Sequence, residues 1–94
     1  MRGVDLAIYA DVLCAEAATL EARSERARSR LWQAAIEKRA RAELTSVAIE
    51  RLEALGLLGV DESAARIELQ ELEAALEALA ELQAFVEGEL VSAA

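Results

Sequence analysis

"IELQELEAALEALAELQAFVEGEL", residues 67–90, decides the class of fold. Leu69, Leu72, Leu76, Leu79, Gln83, Val86 and Leu90 alternate by three and four, the spacing of a and d positions in a heptad. Ala75, Ala78, Leu82 and Phe85 add a flanking stripe that widens the apolar arc to roughly 200°, at about 100° per residue. One partner helix cannot cover so wide an arc. Opposite it, Arg66, Gln70, Glu73, Glu77 and Glu81 make a solvated face.

Just before this segment, "ALGLLGVDES" (residues 54–63) is the chain's clearest punctuation. Gly56 suits the left-handed position that closes a helix, and Gly59 lets the chain turn again. Asp61 or Ser63 can cap the next helix, with Glu62 favourable in its first turn. The spacing predicts a helix over about 4–55, a turn over 56–61 and a helix over about 62–91, in one domain spanning 1–94. Thr45-Ser46 is a possible cap inside the first arm, so a kink near 44–46 and an unbroken helix are both open. The fold expected is all-α: a long, coiled-coil-like helical hairpin that assembles as an antiparallel four-helix bundle.

Composition agrees with the pattern. The 94 residues include no Pro, four Gly and one each of Tyr, Trp and Phe. Ala, Leu, Glu and Arg dominate, and these lose little freedom in a helix. No apolar run approaches the roughly 20 residues needed to cross a bilayer. The N-terminal run is interrupted by Asp5 and Asp11, which argues against a signal peptide. A lone Cys14 cannot form an internal disulfide, and the expected compartment is the cytoplasm. Among Val12, Leu13 and Ala15 it reads as a small buried packing residue.

The first arm carries its own stripe. Leu6, Leu13, Leu20 and Ala27 fall seven apart, with Ala10, Ala17, Ser24 and Leu31 between them. Beyond Leu31 the apolar positions move toward Trp32, Ile36, Leu44, Val47 and Leu55, a change of winding or of neighbour.

Charge is uneven on a chain whose net charge is −8. Residues 23–41 hold seven of the ten basic residues: Arg23, Arg26, Arg28, Arg30, Lys38, Arg39 and Arg41. If the arms fold antiparallel about residues 57–59, facing positions add up to roughly 115, because both helices rise equally. The basic stretch then faces Glu77, Glu81, Glu87 and Glu89, and Trp32 reaches the level of Phe85 in the core. Glu37–Arg41 and Glu25–Arg28 are also spaced as helix pairs. The charge is thus read as orientation within the chain, where slipped registers are penalised.

That register leaves residues 1–22 as an overhang without an intrachain partner, apolar on more than one side. A second copy is the simplest cover. A different helical protein, or folding back at a break, would serve as well. The interface expected from these stripes comprises Leu6, Tyr9, Leu13, Ala17, Leu20, Leu31, Leu72, Leu76, Leu79, Leu82, Phe85 and Val86.

Chemistry is poorly represented. The chain has no His, so the usual neutral-pH acid/base and the commonest transition-metal ligand are missing. Glu68, Glu71, Glu73, Glu77 and Glu81 read as a solvated face rather than a metal site, and no cofactor is expected. Gln83, a polar residue in the seam, either selects register or reaches water at the bundle edge.

The small all-α chorismate mutases provide a comparison, with a similar length, a long first helix, a domain-crossing dimer and Arg and Lys side chains that hold a dicarboxylate. Arg28, Arg39, Arg51 and Gln83 have such chemistry. Positions 6–16 read "LAIYADVLCAE", however, where that family has an Arg followed by an Ile-Asp repeat, and its basic loop is absent. The overlap is of scattered residue types. A non-enzymatic association module, a homo-oligomeric scaffold or adaptor, is therefore the expected function. A small enzyme of the mutase type is one alternative. Weak nucleic-acid binding through residues 23–41 is another, and the acidic body argues against it.

Overall fold

The structure, a computed structural model, describes residues 2–93; Met1 and Ala94, the ends of the expected domain, lie outside them. Three helices account for nearly all of it: α1 (Arg2–Glu43), α2 (Ser46–Ala54) and α3 (Glu62–Ala93). Among the described residues there is no strand. The molecule is a rod of 68 × 18 × 14 Å, with a radius of gyration of 20.7 Å. A compact domain of this length has a radius of gyration of roughly 12 Å.

α1 and α3 lie side by side and antiparallel, early residues of one meeting late residues of the other: Arg30 with Glu68, and Cys14 with Gln83. The seam is the pair of stripes set out by the heptads. Leu13, Ser24, Ala27 and Ala34 of α1 are buried against Ala65, Leu72 and Val86 of α3. Leu6, Ala10, Ala17, Leu20 and Leu31 are half-buried along the same line, as are Leu69, Leu76, Leu79, Gln83 and Leu90. Ser24, Ala27 and Ala65 are at most 3% exposed. Their small side chains let the two helices fill the seam with little volume.

The first arm is not one helix. It ends at Glu43, and Thr45, with φ −70° and ψ 154°, starts a new helix by accepting a hydrogen bond from the Ala48 amide (3.2 Å). Such a cap satisfies one of the four free amides at a helix start. The nine residues of α2 therefore do not lengthen the rod, and this corrects the expected register. Facing residue numbers add to roughly 100 rather than 115, a slip of about 15 residues or roughly 22 Å. The expected overhang disappears with it. Leu13 is buried, and Leu6, Ala10, Ala17 and Leu20 are half-buried beneath α3.

The return turn is tied at several points. Gly56, with φ +72°, donates to the Glu53 carbonyl, while Leu57 donates to that of Leu52. This pairing closes a helix around a left-handed residue. Asp61 then caps α3 by accepting from the Ala64 amide (3.0 Å). Glu37, 6% exposed, reaches across from α1, and its Oε1 accepts from the Gly59 amide (2.5 Å) and, more weakly, from that of Val60 (3.4 Å). Arg41 ties α2 back to α1 through Glu53.

Candidate association surface

The residues expected at an interface divide by depth. Leu13, Leu72 and Val86 are buried inside the chain, while Leu6, Ala17, Leu20, Leu31, Leu76 and Leu79 are half-buried in the seam. Tyr9, Leu82 and Phe85 face outward, Phe85 at 66% exposure. The outward three share one flank of the rod. There Asp5, Leu6 and Tyr9 of α1 and Phe85 and Glu89 of α3 line an open groove of about 550 Å³.

That flank runs the length of the helix pair. One position back from the α3 seam, Glu68, Glu71, Ala75, Ala78, Leu82, Phe85 and Glu89 repeat by three and four. One position back from the α1 seam, Asp5, Tyr9, Val12, Glu16, Thr19, Arg23, Arg26 and Arg30 do the same. All but Glu68 are exposed, and Glu68 is half-buried. Heptad rows stay on one side of a helix. The two rows also meet each other twice. The groove at Tyr9 and Phe85 is one meeting; the other is a hollow of about 490 Å³ lined by Arg23, Arg26, Ser29, Arg30 and Glu68. They therefore form one face, apolar with Asp5 and Glu89 toward the chain ends, and with Arg23, Arg26 and Arg30 beside Glu68 and Glu71 toward the turn.

The charges pair differently from expectation because the register slipped. Arg28 does meet Glu25 (2.8 Å), the helix pair expected from the sequence, and, at longer range, Glu73 (3.6 Å). Arg30 meets Glu68 (2.5 Å), and Arg41 meets Glu53 rather than Glu37 (2.5 Å). Among the described residues Arg23, Arg26, Lys38 and Arg39 enter no ion pair, and neither do Glu77, Glu81, Glu87 or Glu89. The pairs that form are at least one-third exposed. Each is worth about 0–1 kcal/mol and acts chiefly on alignment.

No family model, curated protein or solved structure matches this chain. Function has to be argued from the surface itself.

Two readings of single residues need correction. Cys14 is exposed rather than packed away, because it lies one position past Leu13 at the edge of the seam. There the Gln83 amide donates to its Sγ (3.8 Å), so Gln83 sits at that edge too. Trp32 is 71% exposed and far from Phe85 along the rod, since Phe85 lies beside Tyr9. The seam passes instead through Ala34, Glu37 and Ala40, which leaves Trp32 and Ile36 on the outside.

Arg28, Arg39 and Gln83 do not come together either. Gln83 is at the level of Cys14, so the three spread over roughly 37 Å of α1, far more than one small ligand spans. Among the described residues no group of three His, Cys, Asp or Glu side chains converges on a metal-sized site. No described helix is long and apolar enough to cross a membrane.

Glu37 and the continuous flank of α1 were missed in the sequence. The flank was visible as a second heptad row beside the first. Glu37 had a weaker signal, a single acid where an apolar seam residue was due.

Proposed function

We propose that this chain is a non-enzymatic protein–protein association module that self-assembles, its helical hairpin forming half of an antiparallel, coiled-coil-like four-helix bundle. One observation carries the reading. The chain exposes 6986 Å², whereas a compact monomer of this mass exposes roughly 5,300 Å². Large apolar side chains sit on that excess: Tyr9 and Leu82 are about four-tenths exposed, and Val12 and Phe85 more than half. The buried hydrophobic residues are few, and Ala27, Ala34 and Ala65 among them bring little volume.

Exposed patches of this kind usually mark a place where another molecule packs, and twofold dimers are the commonest closed assembly. An exposed, unpaired Cys14 suits a reducing compartment, which favours the cytoplasm.

Sedimentation equilibrium over a range of concentrations tests the proposal. The expected result is a mass of twice 10.1 kDa that dissociates only on dilution. A stably helical monomer at every concentration overturns it.

A further inference from the structure

We infer that the second copy packs on the flank that carries Tyr9 and Phe85 and points the same way as the first, so that α1 of each copy lies on α3 of the other. This inference rests on the self-assembly reading and specifies its geometry.

The two rows of that flank match level by level, in the register fixed by Arg30 with Glu68 and Cys14 with Gln83. Toward the turn, Arg26 is level with Glu71, and Arg30 with Glu68. Arg30 and Glu68 already hold each other. Arg26 and Glu71 are exposed and have no ion-pair partner among the described residues, so both charges are available to another molecule. Toward the chain ends, Val12 is level with Phe85 and Tyr9 with Glu89.

A twofold axis running along the rod exchanges the two rows without changing their levels. Arg26 of each copy then meets Glu71 of the other. The two Arg30–Glu68 pairs come together as an alternating square of charge. Val12 meets Phe85, and the Tyr9 hydroxyl, a donor, stands opposite the Glu89 carboxylate, an acceptor. Thr19 and Ala78, both small, meet between the apolar and charged zones. Glu16 on Leu82 and Arg23 on Ala75 lack a complement, but no like charges stand directly opposite. Each α1 lies between its own α3 and that of the second copy, so all neighbouring helices are antiparallel and their dipoles oppose.

Other arrangements match less well. Turned end for end with Asp5 on Arg30, the second copy sets Glu71 against Glu89 and lays Tyr9 and Val12 on Arg26 and Arg23. On the opposite flank, Asp11, Glu21 and Glu25 of α1 are level with Glu87, Glu77 and Glu73 of α3. A parallel pair there opposes like charges at each of these levels.

The size also fits. From residue 5 to residue 30 of α1 the flank spans roughly 38 Å. With a rod 18 Å wide, each copy contributes roughly 700 Å², close to the approximately 800 Å² per partner of an ordinary stable interface.

Two single charge reversals test the arrangement: R26E and E71R. Both positions are exposed, and circular dichroism checks that helicity is retained. In either homodimer like charges replace opposite ones at both symmetry-related places. The dimer dissociation constant, read by sedimentation, is expected to rise about tenfold. Added salt should narrow the gap from the wild type. An equimolar mixture of the two variants restores opposite charges at both places and should form a one-to-one heterodimer of near wild-type affinity. A loss that arose only within each chain is not repaired by mixing.

If the wild type dimerises and either variant dimerises as well or better, the copies are not stacked in this way: the inference fails while the association reading stands. A gain in E71R alone is the mark of the end-for-end pair, where Glu71 meets Glu89. Loss of dimers in both variants without recovery in the mixture overturns the inference too. A monomeric wild type removes the association reading itself.

Discussion

Glu37 holds the turn with one carboxylate oxygen while the other, Oε2, is buried without a partner. Replacing it by alanine leaves the Gly59 and Val60 amides without an acceptor in a part-buried place. Glu37→Ala should therefore cost about 1–3 kcal/mol, seen as a lower midpoint in urea. Glu37→Gln keeps an acceptor oxygen and should cost less; a Gln variant as weak as the Ala variant would mean that the charge, not the hydrogen bond, matters. At Gly56, φ +72° is a conformation that a side chain disfavours. Gly56→Ala is expected to lose about 1 kcal/mol, measured the same way. Gly56 was legible because a left-handed helix stop has a residue type of its own. Trp32 was not: a large aromatic in an alternating stretch looks like core until the seam's exact course is known.

At the scale of elements, α3 was the most legible part of the chain, since its heptad leaves one way to turn. The seam of α1 was readable to Leu31 for the same reason. The break at 44–45 had a signal in Thr45-Ser46, but a nine-residue helix after a cap and a continued long helix share the same local preferences. Register followed from that choice, which is why the partners of the arginines were misassigned. Thr45→Ala removes the cap and should cost about 0.5–2 kcal/mol. Hydrogen exchange should report it as faster exchange confined to 46–54, with α1 and α3 protected as before. Leu13→Ala and Leu72→Ala strike the seam itself, where both residues are about 5% exposed. Each is expected to lose about 2–5 kcal/mol, visible as reduced cooperativity and midpoint in thermal melts.

At the scale of the whole molecule, length discriminates between assemblies. The single rod measures 68 Å. A pair of rods overlapping along their whole length is no longer than one rod, whereas partial overlap lengthens the particle. Small-angle scattering of the wild type reads this maximum dimension directly. Three of the ties from α1 to the later part of the chain also differ in how far apart in sequence they lie: 22 residues for Glu37 with Gly59, 38 for Arg30 with Glu68 and 69 for Cys14 with Gln83. Bringing ends together costs more entropy as the intervening chain lengthens. The molecule should then zip from its turn outward, and on the ribosome residues 5–14 must wait for residues 83–89 to emerge. Tyr9 and Phe85 would be among the final positions to settle.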